Sequence, residues 1–186
     1  MHRTAVFIDR DGVINRKMPE GDYVKDWTEF YFLPGVIEAL RILKEKKFLI
    51  IVVTNQRGVA KSIVPEKILN EIHEKMQEEI KGYGGAVDAV YFCPHETTDR
   101  CHCRKPEPGM ILKAIRDFKN KGVEIDIENS YMIGDSESDI IAGKAVGLKT
   151  VKIGKYFGIA DIMAERLMDF VKDMPFHKDF VQFRGH

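Results

Sequence analysis

Apolar residues along this chain fall into two alternating rhythms. Short apolar-rich runs, unbroken at Ala5 to Ile8, Phe48 to Val53 and Tyr131 to Ile133 and interrupted by polar residues at Val87 to Phe92 and Leu148 to Ile153, carry many β-branched and aromatic side chains. Unbroken runs of that length suit strands covered on both faces of a parallel sheet. Helical spacing takes over between them. Pro34 stands where a helix takes its first residue, and Val36, Ile37, Leu40 and Leu43 follow on one face. Pro65 to Lys81 carries Ile68, Leu69, Ile72, Met76 and Ile80 on one stripe until Tyr83-Gly84-Gly85 breaks it. Pro108 to Lys119, Ser136 to Val146 and Ile159 to Val171 are the remaining predicted helices. Strands alternating with helices predict a three-layer α/β/α domain with a parallel sheet and right-handed crossovers.

The polar residues gather where the apolar runs stop. In such sheets ligands bind beyond the carboxyl ends of the strands, and Asp9, Thr54, Cys93 and Asp135 each follow a run at that end. In FIDRDGVIN, Asp9 and Asp11 lie at a strand tip with Gly12 allowing the turn; two acids so placed need a cation. Beside a magnesium ion a carboxylate can attack phosphorus, which makes Asp9 the candidate nucleophile and Asp11 the candidate general acid and base. An Asp-Gly turn with two exposed acids is the plain alternative for this stretch. Lys105 stands just before a predicted helix and can bring a fixed positive charge to a phosphoryl group, with Thr54 and neighbouring amides donating to the same oxygens. Asp135 at its strand tip can bind magnesium; Asp139 either supports ligand or water, or with Ser136 merely caps the next helix.

Composition adds bounds. The 186 residues are 44% hydrophobic and 31% charged, with 29 acidic and 29 basic side chains, so a single soluble domain over 1–186 is expected, with no electrostatic case for nucleic acid or a membrane surface. No apolar run approaches a membrane span and Met1-His2-Arg3-Thr4 leads straight into the first strand, which makes a cytoplasmic protein the expectation. The cysteines Cys93, Cys101 and Cys103 cluster around His95, a donor set that suits closed tetrahedral zinc; a disulfide within the cluster or unlinked buried thiols are the alternatives. Bound zinc would fix the loop that carries Arg104 and Lys105. His102 is expected to point outward, and His2, His73, His177 and His186 to be ordinary surface residues.

FIDRDGVIN, VVTNQ, CRKP and GDSESD, in that order, resemble the four motifs of the haloacid dehalogenase superfamily of phosphotransferases, whose domain is Rossmann-like. The cysteine loop narrows the resemblance to the branch of heptose bisphosphate and histidinol phosphate phosphatases. The resemblance implies a magnesium-dependent phosphomonoesterase with an aspartyl-phosphate on Asp9. It implies magnesium held by Asp9, the Asp11 backbone carbonyl and Asp135, and Thr54 and Lys105 stabilising the phosphoryl group. Asn55, Gln56, Arg57 and Arg104 are the candidate substrate contacts. The 7-phosphate of D-glycero-D-manno-heptose 1,7-bisphosphate, a lipopolysaccharide precursor, is the preferred substrate on this resemblance, with histidinol phosphate the alternative. Ser136 departs from the lysine that often follows the motif-four aspartate. No segment is long enough for a separate cap domain, so the loop from Arg16 to Phe32 and the zinc loop are expected to shape the pocket.

Arg57, Lys61 and Arg104 supply more cations than one transferring phosphate needs, which suggests a hold on a second phosphate; solvated surface cations are the alternative. From other classes, a phosphate-accepting signalling receiver needs no Asp11, and a zinc-based binding module needs neither carboxylate. There is no G-x-x-x-x-G-K-[ST] for a nucleotide. The tail from Lys172 to His186, with Phe176, Phe180 and Phe183, is expected to pack on the protein's own surface, in a monomer or weak dimer.

Overall fold

A computed structural model describes residues 1–155 and 158–174. In chain order the elements are β1 (His2–Arg3), β2 (Ala5–Ile8), α1 (Val36–Glu45), β3 (Leu49–Asn55), α2 (Glu66–Gly82), β4 (Ala89–Cys93), α3 (Gly109–Asn120), β5 (Glu124–Ile125), β6 (Tyr131–Gly134), α4 (Glu137–Val146), β7 (Lys149–Ile153), β8 (Ile162–Ala164) and α5 (Leu167–Asp173). β1 and β5 form a small parallel pair, and the main sheet is parallel with strand order β4-β3-β2-β6-β7-β8. The order reverses at β2: the chain moves outward through β3 and β4, then returns to β6 on the other side. That switch point opens a crevice beyond the ends of β2 and β6, where Asp9 and Asp135 emerge.

The unbroken apolar runs are explained by two cores. Val6, Ile8, Ile50, Val52, Ile133 and Val151 pack on one face beneath α1, α2 and α5. Ala5, Phe7, Leu49, Ile51, Val53 and Met132 pack on the other beneath α3 and α4. Successive strand residues point to opposite faces, so the central strands β2, β3 and β6 are apolar along most of their length, while β7 carries Lys149, Thr150 and Lys152. The expected three-layer architecture is thus present.

The predicted helix from Ile159 to Val171 is divided. Ile162–Ala164 instead pairs in parallel with Val151–Ile153 as the edge strand β8, and only Leu167–Asp173 is helical. The local pattern yields here to tertiary pairing: Asp161 Oδ2 accepts from Thr150 N at 2.8 Å and Thr150 Oγ1 at 2.6 Å, which fixes the segment against β7. The β4 run also ends later than its apolar pattern, because Cys93 is paired with Asn55 in the ladder. Phe176, Phe180, Phe183, His177 and His186 lie outside the described residues. Among the described residues no helix is long and apolar enough to cross a membrane.

The segment between β2 and α1 is less irregular than its polar sequence suggests. Val24 and Phe30 are buried, and Trp27 stacks on Phe30 at 4.9 Å while Phe30 meets Phe32 edge-on at 5.1 Å. This aromatic cluster pins the loop to the core and leaves Lys17 to Val24 arching over the strand ends.

Candidate active site and metal centre

The ends of β2, β3 and β6 and the start of α4 converge on a cleft of about 300 Å³ whose walls include Asp9, Asp11, Thr54, Lys105 and Asp135. At its floor Lys105, 3% exposed, joins three elements. Its Nζ lies 2.8 Å from Asp9 Oδ1, 2.6 Å from Asp139 Oδ1 and 2.7 Å from the Val53 carbonyl. Burial opposes the ammonium charge, yet Asp139 and Asp9 hold Lys105 above the usual lysine range. Burial pushes Asp9 the other way, up to about 7; Lys105 counters this, while Asp139 and Asp11 add to it. The site has more negative charge than its lysine offsets.

Asp11 is arranged differently. Arg10 Nη2 donates to both its oxygens at 3.0 Å, Asn15 Nδ2 to Oδ1 at 2.9 Å and Gln56 Nε2 to Oδ2 at 2.8 Å. Burial alone would raise its pKa, but Arg10, Asn15 and Gln56 together lower it. Two carboxylates two residues apart therefore sit in opposed environments, one poor in donors and one rich. Gln56 Nε2 also donates to Thr54 Oγ1 at 2.9 Å, which leaves the hydroxyl proton of Thr54 for a ligand.

Asn55 and Gln56, expected at the substrate, line the cleft but have their amides engaged within the protein. Asn55 exchanges two 3.0 Å bonds with the backbone of Lys105, clamping that residue beside β3. Arg57 and Arg104 also line the cleft: Arg57 Nε donates to Tyr23 Oη at 2.9 Å, and Arg104 Nη1 to the His95 carbonyl at 3.3 Å. Lys61 is exposed and stands apart from the lining. The loop from Arg16 to Phe32 does form a wall, through Lys17 to Val24.

The capping reading of Asp139 holds. Its Oδ2 accepts from Ser136 N at 3.0 Å and Ser136 Oγ at 2.6 Å, closing the capping box of α4, while Oδ1 faces Lys105. Sequence reasoning missed Arg10, Lys17 and His73. Lys17 Nζ lies 2.7 Å from Asp135 Oδ2. His73, expected at the surface, is 4% exposed and bonded to Arg10. Arg10 had a signal, a cation set between two acids at a strand end; His73 had none, since helical spacing alone places it beside Ile72 and Met76.

Two groups fit metals. Carboxylate oxygens of Asp9, Asp135 and Asp139 lie within 4.8 Å of one another, and Asp135 Oδ1 is buried without a hydrogen-bond partner. An orphaned carboxylate oxygen beside an acid already raised by burial is the environment a hard divalent cation neutralises. Cys93, His95, Cys101 and Cys103 form the second group. Their sulfurs are 3.3–3.5 Å apart and His95 Nδ1 is 3.2 Å from Cys103 Sγ. These spacings exceed the roughly 2.05 Å of a disulfide and approach the roughly 3.7 Å edge of a tetrahedron built on Zn–S of about 2.3 Å. His102 is exposed, as expected.

Residues 6–175 match the polynucleotide kinase 3 phosphatase family. A D-glycero-β-D-manno-heptose-1,7-bisphosphate 7-phosphatase of Vibrio cholerae is 37% identical, covering 94% of this chain and 96% of its own. A D-glycero-α-D-manno-heptose-1,7-bisphosphate 7-phosphatase of Mycobacterium tuberculosis is 36% identical, covering 91% and 90%. Among solved structures, the D,D-heptose 1,7-bisphosphate phosphatase of B. bronchiseptica complexed with magnesium and phosphate superposes with a TM-score of 0.82 at 29% identity, covering 91% of this chain and 96% of that one. This chain is therefore a phosphatase of the haloacid dehalogenase superfamily, and belongs to the family that contains the D-glycero-D-manno-heptose 1,7-bisphosphate 7-phosphatases.

Proposed function

We propose that this phosphatase removes the 7-phosphate of D-glycero-D-manno-heptose 1,7-bisphosphate by way of an aspartyl-phosphate on Asp9. The observation that carries the chemistry is the meeting of Asp9, Asp11 and Lys105 at one strand end, with the two acids in opposed environments. The substrate is inferred from the relatives, which are named for that activity and align over most of the chain.

In this reading Asp9 attacks phosphorus, and the P–O bond to the sugar breaks as Asp11 delivers a proton to the departing oxygen. Asp11 then takes a proton from the water that attacks the aspartyl-phosphate, which releases phosphate and restores both acids. Arg10 and the two amides favour the carboxylate form needed in the second half; the negative charge of an arriving phosphate favours the acid form needed in the first. Magnesium held by Asp9, the Asp11 backbone carbonyl and Asp135 supplies the charge that cancels repulsion between carboxylate and phosphate. The Thr54 hydroxyl and Lys105 ammonium face the transferring group, while Arg57 and Arg104 take the rest of a small phosphorylated sugar. Zinc on Cys93, His95, Cys101 and Cys103 fixes the segment that ends at Arg104 and Lys105. Residues 1–186 act as one phosphatase domain on this reading.

The test is phosphate release, with magnesium, from both anomers of heptose 1,7-bisphosphate and from histidinol phosphate. A kcat/KM at least about 100-fold higher for one heptose anomer supports the proposal. Equal or better turnover of histidinol phosphate overturns the substrate and leaves the chemistry intact.

A further inference from the structure

Arg10 is a permanent charge at 1% exposure, so its partners decide what it does. Nη2 carries all of its contact with the acid, 3.0 Å from each oxygen of Asp11, and also lies 3.2 Å from Gln56 Oε1. Nη1 lies 3.0 Å from Nε2 of His73, on α2. The Phe30 ring closes one face of the guanidinium at 5.9 Å. A guanidinium only donates, so His73 Nε2 must accept; the imidazole is neutral with its proton on Nδ1. Burial and the adjacent Arg10 charge both lower the pKa of His73, to about 3, which agrees with that geometry. His73 is absent from the cleft wall and its ring packs 5.7 Å from Phe92.

We propose that His73 is a positioning residue for the Asp11 carboxylate, acting through Arg10. The argument is geometric. Of the guanidinium only Nη2 reaches Asp11, bonding both oxygens beside one amide each from Asn15 and Gln56, so a swing of the planar group about its stem slides Nη2 along the carboxylate. Gln56 Oε1 holds Nη2 itself, and the His73 lone pair, on the opposite nitrogen, supplies the second anchor that fixes the plane. The inference rests on the assignment of Asp11 as acid and base given above.

A general acid matters most when the leaving group is a poor one, and this gives a readout that lost packing does not share. The bond to the sugar leaves as an alkoxide that needs a proton; p-nitrophenolate departs without one. kcat/KM reports the steps through departure of the leaving group, so the two substrates separate a misplaced Asp11 from a loosened fold. His73→Phe keeps a ring against Phe92 and removes the acceptor. It should lose about 10-fold to 100-fold in kcat/KM on heptose bisphosphate and less than about 3-fold on p-nitrophenyl phosphate, and His73→Gln, which can again accept, should regain most of the loss. Equal losses on the two substrates, or none, overturn the inference. His73→Leu makes the same comparison should the phenyl ring prevent folding. Asp11→Asn, measured alongside, must lose turnover of the bisphosphate. If it does while His73→Phe stays unimpaired, only the positioning role fails; if Asp11→Asn turns over normally, the acid assignment and this inference fall together.

Discussion

At the scale of single residues, burial decides which charges the protein tolerates. His73 is neutral because burial and the adjacent Arg10 charge outweigh the pull of Asp11, and its folded pKa of about 3 lies below the ordinary 6.5. The sign follows from proton counting. Below about pH 6.5 the unfolded chain binds a proton at this site that the folded chain refuses, so stability falls as pH falls from there towards 3, by at most about 1.4 kcal/mol per pH unit from this one group. His73→Gln has no such proton to bind. The stability gap between wild type and His73→Gln in urea titrations should therefore narrow by about 2 kcal/mol between pH 7.5 and pH 5. A gap that stays constant would mean His73 takes up its proton in the fold as readily as in the unfolded chain, and its lone pair would not be committed to Arg10.

At the scale of elements, the site depends on two tight pieces of backbone. Gly12 turns the chain after β2 at φ +93°, and a Cβ there would sit 2.3 Å from Asp135 Oδ2. Gly12→Ala should cost roughly 1–3 kcal/mol in backbone strain. It should also push Asp135 aside, which abolishes the rise in melting temperature on adding magnesium; an undiminished rise would remove Asp135 from the metal site. The second piece runs from Cys93 to Lys105. Cys101→Ser should lose stoichiometric zinc by elemental analysis and lower kcat, because Arg104 and Lys105 follow directly on Cys103; zinc content equal to wild type would refute the ligand assignment. Much of this was legible in sequence. Short runs rich in apolar residues located the strands, and acids, threonine and cysteines at their ends located the rim, since strand ends in a parallel sheet are where polar groups have reason to gather. The division of the Ile159 to Val171 segment was not legible, because pairing with β7 is a tertiary event that three apolar residues do not announce. The employment of Asn55 and Gln56 within the protein was hidden for a similar reason: an amide reads the same whether its partner is a sugar or the backbone of Lys105, fifty residues away.

At the scale of the whole molecule, Lys105 ties separate parts of the chain into one centre. It reaches Asp9 at the end of β2 across 96 residues, the carbonyl of Val53 in β3, and Asp139 in the first turn of α4. The two acids repel each other and are kept together by this one buried ammonium. Lys105→Met removes the tie without emptying the space, so the expected loss is that of a broken buried ion pair, about 3–5 kcal/mol. The loss should depend on pH in a defined direction. Asp9 already has a folded pKa raised from 3.8 to about 7, and Lys105 is the group that restrains it. A raised carboxylate contributes stability that is present at low pH and lost as pH rises through its folded value. Without Lys105 that window extends upward, and the deficit of Lys105→Met measured without added magnesium should grow from pH 5 to pH 8. Adding Asp139→Asn to Lys105→Met removes one of the two repelling charges and should recover part of the loss, so that the two changes are not additive in a double-mutant cycle. Strict additivity, or a single-variant cost under about 1 kcal/mol, would mean that Asp9 and Asp139 are solvated independently and that the sheet and α4 are held at the cleft by their apolar packing alone.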